Sequence, residues 1–136
     1  MAGAQICRKI LFAQQSFAPK FDKFGMDIEH YKQLAKLIRD NETYKVYDLP
    51  ELKDLDISLT ELKPQESTLG HSHKDADEVY LFIKGQGTME LGLENLSVKA
   101  GDIVPVKADD FHQVHNKGKE ILSFWAIFEK YEGRGK

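Results

Sequence analysis

Cys7 is the only cysteine of the chain. That excludes an intrachain disulfide and any zinc site built from several thiolates. A lone thiol fits a reducing setting, so the protein is expected in the cytoplasm. Excess charge of one sign is also scarce. The formal net charge is −3, so no broad basic field exists to hold nucleic acid. Long apolar runs are missing too. The segment "MAGAQICRKILFAQQSF" has a basic pair ahead of apolar residues, but its run covers only Ile10 to Ala13. That is too short for a signal-peptide core, and no stretch approaches the roughly 18 apolar residues of a membrane span. Neither nucleic acid nor membrane is an expected partner. What remains is a globular composition, 41% hydrophobic and 30% charged, and a length of 136 residues that favours one domain with one core.

Residues 1–42 read as an N-terminal extension. Phe12, Phe17, Phe21 and Phe24 stand in a segment with no strand pattern of its own. So many aromatics are expected to cover a sheet face or a partner subunit, and a symmetric homodimer is the expected assembly. "DIEHYKQLAKLIRD", residues 27–40, is predicted as a helix. Asp27 suits the N-cap and Glu29 the positive helix start. Tyr31, Leu34, Ala35, Leu37 and Ile38 form an apolar stripe at helical spacing. From residue 43 the period shortens. Segments such as "TYKVYDL", "LDISLTEL", "EVYLFIKG", "GTMELGL", "DIVPVKA", "FHQVHN" and "EILSFWAIFEK" are strand candidates, punctuated by Pro, Gly, Asn and Asp. Many short strands at regular spacing predict an all-β sandwich or barrel over residues 43–130. Residues 131–136 read as a frayed tail.

Chemistry concentrates in "GHSHKDADEVYLFIKGQG", residues 70–87. Alternate residues of a strand share a face. His71 and His73 therefore lie together, and so do Glu78, Tyr80 and Phe82. With "KDAD" as a turn, the two runs are expected to pair like a hairpin and bring two imidazoles to one carboxylate. Such a set suits Fe, Mn, Ni, Zn or Co in an open site. Two exposed histidines in a polar loop is the other reading, and a third histidine would decide. "FHQVHN" offers two. His112, Val114 and Asn116 share one face, while His115 points the other way.

Together these residues resemble the cupin superfamily. Its first motif, G-x5-H-x-H-x(3,4)-E-x6-G, is matched by His71, His73, Glu78 and Gly85, with Gln65 in place of the first glycine. Its second motif, G-x5-P-x-G-x2-H-x3-N, is matched by Gly101, His112 and Asn116, with Lys107 for the proline and Asp109 for the glycine. The resemblance implies a jelly-roll β-barrel. It also implies a divalent transition metal held by His71, His73, Glu78 and His112, with one or two positions open to a small-molecule substrate.

The stretch "TLGHSHKDADEVYLFIKGQGTMEL" is further similar to the first motif of archaeal cupin-type glucose-6-phosphate isomerases. That resemblance implies Thr68, Gly70 and Tyr80 as donors to a substrate phosphate. Glu78, or a tyrosine such as Tyr80, would move the proton of a metal-dependent isomerisation. The loop between His73 and Glu78 is two residues shorter here, and the chain is shorter overall. A plain strand threonine and a core tyrosine are the alternatives for Thr68 and Tyr80. An iron-dependent dioxygenase and a non-catalytic binding protein would use the same ligands, because one fold hosts all three.

Overall fold

The computed structural model describes residues 27–132. Cys7 and the four N-terminal phenylalanines lie outside the described residues. A short helix, α1 (Ile28–Leu34), comes first. It is followed by β1 (Lys36–Asp40), β2 (Tyr44–Leu49), β3 (Leu55–Leu62), β4 (Glu78–Lys84), β5 (Gln86–Leu91), β6 (Glu94–Lys99), β7 (Ile103–Val106), β8 (His112–Asn116) and β9 (Leu122–Glu129). The strands form two antiparallel sheets, one in the order β1-β2-β3-β9-β4-β7 and one in the order β6-β5-β8. This is the all-β fold expected from the strand pattern, in the jelly-roll form that the cupin resemblance implied. No helix among the described residues is long and apolar enough to cross a membrane.

Alternation decides what the two sheets enclose. On β4, Glu78, Tyr80 and Phe82 turn inward, and on β8, His112, Val114 and Asn116 do the same. Leu62, Phe82, Met89, Val114, Leu122 and Phe124 form the core between the layers. A second cluster of Tyr31, Leu49 and Leu59 seats α1. There the Tyr31 ring meets Trp125 edge-on at 4.7 Å. Its hydroxyl lies 2.8 Å from the carbonyl oxygens of both Tyr47 and Ile57. Pro105 lies on β7, the end strand of its sheet, where a missing N–H leaves no ladder bond unmade.

Two local expectations are corrected. The helix does not run over 27–40. Asp27 caps it as anticipated, accepting from the His30 N–H at 2.8 Å, but Ala35 is already extended. Residues 36–40 pair antiparallel with β2 instead, so strand pairing begins ahead of residue 43. The apolar spacing allowed either state, and the open edge of β2 supplied backbone partners that a lone last helical turn lacks. Nor does the His-x-His segment form a hairpin with β4. Residues 67–71 run against β8, through bridges Ser67↔His115 and His71↔His112, while β4 lies between β9 and β7.

The glycine departures have a backbone explanation. Gly85 and Gly101, the motif glycines that are kept, have φ of 85° and 99°. Gln65 and Asp109 occupy the other two glycine positions and, among the described residues, are the non-glycine residues with positive φ, at 65° and 74°. All four left-handed turns therefore persist although two glycines are gone. An L-residue in this region carries about 1–2 kcal/mol of strain, which Asp relieves by local bonding more readily than a β-branched residue can. Asp109→Gly is thus expected to leave stability unchanged or raise it by up to about 1 kcal/mol, and Asp109→Val to lower it by about 1–2 kcal/mol. Urea unfolding of both variants checks this. Equal midpoints would remove the backbone account.

Candidate metal centre

The site joins the two sheets. His112 opens β8 and is 2% exposed. Its Nδ1 lies 2.9 Å from the Asp110 carbonyl oxygen. Donation there leaves the Nε2 lone pair aimed inward, the arrangement a metal-binding imidazole needs. His71 is held beside it by a reciprocal backbone pair: His71 N–H to His112 O at 3.1 Å, and His112 N–H to His71 O at 2.9 Å. The His73 carbonyl accepts from the Asp109 N–H at 2.8 Å. Asp77 fastens the "KDAD" turn by accepting from the Ala108 N–H at 2.9 Å. Glu78 enters from the opposite sheet at the start of β4, buried. Both loops that carry histidines are thus tied to one another before any ion is considered.

The donor atoms of His71, His73, Glu78 and His112 all lie within 4.8 Å of one another. Glu78 Oε2 is 3.0 Å from His112 Nε2 and 3.4 Å from His73 Nε2. The 3.0 Å approach is an ion-pair distance. Glu78 Oε2 and His112 Nε2 are buried without a hydrogen-bond partner among the described residues. Orphaned buried polar atoms are costly and call for an explanation. A divalent ion supplies one, since neighbouring donors on an ion with bonds near 2.1 Å stand about 3 Å apart. Three imidazoles and one carboxylate suit a first-row transition metal. Burial acts to lower the pKa of His112, but the adjacent Glu78 carboxylate and the Asp110 carbonyl outweigh it. The imidazole is held above its ordinary range.

His71, His73 and Glu78 line a cavity of about 370 Å³. Tyr80 is in its wall, stacked on Phe124 at 5.2 Å and 5.7 Å from the His112 ring. Thr68 also lines it, but its Oγ1 accepts from the Val114 N–H at 3.0 Å, so part of its capacity holds the chain in place. Gly70 is not in the wall. A Cβ there would meet the tip of the Phe111 ring, which would have to move aside. His115 faces outward as expected. It links Ser67 Oγ at Nδ1 and Glu90 Oε2 at Nε2, both at 2.6 Å, and so ties the segment before His71 to β8 and β5.

Several cavity residues escaped the sequence reading, Tyr131 and Arg39 among them. The Tyr131 ring lies 4.3 Å from that of His73. It was assigned to the tail, where an aromatic among charges was the only available signal. Arg39 was assigned to the helix, and nothing in the helical period could have marked it.

The fold and the donor set define a class: a jelly-roll barrel with a three-histidine, one-glutamate cluster suited to one divalent metal. Residues 58–128 match the cupin domain, and the chain belongs to the cupin family. It is similar to an oxalate-binding protein of Thermotoga maritima, with 29% identity over 65 residues, 47% of this chain and 54% of that protein. The chain spans about half the length of the curated relatives it matches. The oxalate decarboxylase of Bacillus subtilis, an enzyme with Mn(II) centres, superposes with a TM-score of 0.64 and 26% identity. That match covers 70% of this chain and 27% of the enzyme. KdgF from a Halomonas species superposes at 0.62 with 16% identity, over 69% of this chain and 87% of its own, a likeness of fold. None of these relatives is a glucose-6-phosphate isomerase.

Proposed function

We propose that this cupin holds one divalent transition metal through His71, His73, Glu78 and His112, and acts on a small compound that offers the metal two neighbouring oxygens. Such compounds are hydroxy-carbonyls and oxo acids. The observation that carries the reading is the pair of orphaned buried atoms, Glu78 Oε2 and His112 Nε2, beside a cavity that Glu78, His71 and His73 line. When bound, the metal supplies Lewis acidity that polarises a carbonyl and its adjacent hydroxyl. The chain supplies the rest. The cavity's phenylalanine side chains exclude water from one side of the ligand. Glu78 and Tyr80, side by side on the inner face of β4, are the groups placed to hold or move a proton.

Within this class the reaction we favour is isomerisation of a sugar phosphate or a related hydroxy-carbonyl compound, which needs no redox change at the metal. The donors anticipated for phosphate support it unevenly. Tyr80 and Thr68 line the cavity, whereas Gly70 does not. Binding or turnover of an oxalate-like acid is the second reading, favoured by similarity to an oxalate-binding protein. An iron-dependent dioxygenase would use the same donors and reveals itself by O₂ consumption. On its single cysteine we place the protein in the cytoplasm, and on the frequency of two-fold symmetry we assign it a homodimer.

The test is metal analysis of the purified protein, followed by melting curves with oxalate and with glucose 6-phosphate. We expect about one equivalent of metal. A ligand at about 100 times its Kd adds about 2.7 kcal/mol of apparent stability, and it should do so only in the metal-loaded protein. Equal shifts in chelator-stripped protein, or no retained metal, would refute the proposal.

A further inference from the structure

We propose that Arg39 recognises the far end of the ligand: a terminal phosphate or carboxylate on an elongated, hydroxylated compound whose other end chelates the metal. This rests on the metal-site reading above and narrows its substrate class.

The argument begins with a bulge in β1. Leu37 pairs with Tyr47, and Arg39 with Val46, so Ile38 is an extra residue on the β1 side. Directly opposed residues share a face. Tyr47 packs in the cluster beneath α1, whereas Val46 belongs to the core between the sheets. Leu37 and Arg39 therefore face opposite sides, although residues two apart in a regular strand face the same side. A bulge re-aims side chains in this way. Here it brings Arg39, which stays exposed, to the cavity side of β1, where it is the one lysine or arginine among the lining residues. Its guanidinium carbon lies 5.4 Å from the Tyr44 ring centroid, and among the described residues no carboxylate lies within ion-pair distance of it.

The route from Arg39 to the donors sets the ligand's length. From β1 to β4 the sheet order is β1-β2-β3-β9-β4. Steps of about 4.8 Å would set the outer two about 19 Å apart in a flat sheet. Curl and the reach of the arginine side chain close part of that gap. Oxalate, two carboxyl groups joined by one bond, is far shorter than that flat-sheet separation. Between them, Ser58 and Thr60 on β3 are 2% and 6% exposed and line the same cavity. Hydroxyls that line a cavity are matched by the hydroxyls of a polyol. Arg presents a planar fork suited to phosphate or carboxylate.

Calorimetric titration of the manganese-loaded protein tests this with three probes: oxalate, glucose 6-phosphate and glucuronate. Wild type is compared with Arg39→Ala and Arg39→Lys. For at least one of the two long anions we expect about a 10–100-fold loss of affinity in Arg39→Ala, with a smaller loss in Arg39→Lys. Metal content and oxalate affinity should stay within about threefold. Loss with glucose 6-phosphate alone identifies a phosphate tail, and loss with glucuronate alone a carboxylate tail. The proposal is overturned if neither long anion binds wild type, if both bind Arg39→Ala as well as wild type, or if oxalate weakens equally. Failure of the metal-site reading looks different: wild type itself then retains no manganese and binds no oxalate.

Discussion

His112→Gln protein is expected to lose its metal. The loss of affinity should exceed the roughly 10–100-fold that follows removal of an outer hydrogen-bond partner of a ligand, because here a donor itself is gone. His112 is the ligand best placed to show this. It is buried, its ring is fixed through Nδ1, and its Nε2 has no hydrogen-bond partner among the described residues. Glutamine keeps most of the volume, so the barrel should fold, which circular dichroism can verify. Glu78→Gln complements it. Removing the buried charge also removes the desolvation that an orphaned carboxylate oxygen carries, about 1–3 kcal/mol. The metal-free Glu78→Gln protein should therefore be at least as stable as metal-free wild type, yet gain less stability when metal is added. Elemental analysis after dialysis and paired melting curves give both readouts. Unchanged metal content in His112→Gln would remove it from the site. A less stable metal-free Glu78→Gln protein would show that the cluster serves the fold instead.

Phe82→Ala should lower stability by about 3–5 kcal/mol, the range for emptying a buried aromatic site. The ring is 1% exposed and stands 5.2 Å from that of Phe124, which in turn stacks on Tyr80. Phe82 is not among the cavity-lining residues. The void would open behind the floor of the site, where neighbours on β9 are held in ladders on both sides and cannot collapse far. The melting temperature should fall by roughly 10–20 °C for a domain of this size. Phe82→Leu, which keeps most of the volume, should lose far less. Metal content measured well below the lowered transition should be preserved, since no donor is touched. A drop under 1 kcal/mol would mean that the core repacks around position 82.

Much of the site was legible because its signals are local. Period-two alternation is a property of consecutive residues. It therefore assigned Glu78, Tyr80 and Phe82 to one face of β4, and His112, Val114 and Asn116 to one face of β8. The resemblance of the four donors' motifs to the cupin pattern implied the ligand set, and the structure brings those four side chains together. Even the missing glycines left the turns intact, because Gln65 and Asp109 accept the left-handed backbone that the motif requires.

The chain by itself determined the strand pattern, the donor chemistry and the family. Tertiary structure alone decided which edges meet. The apolar spacing of residues 36–40 suited helix or strand, and contact with β2 settled it. Residues 67–71 were free to fold back on β4 or to run along β8, and the sheet order settled that. The bulge that puts Arg39 on the cavity side exists only where β1 meets its partner. The physical reason is common to all three. A backbone N–H or C=O is satisfied equally well by many partners, so local sequence states that a segment must pair, and only the assembled sheets supply the partner.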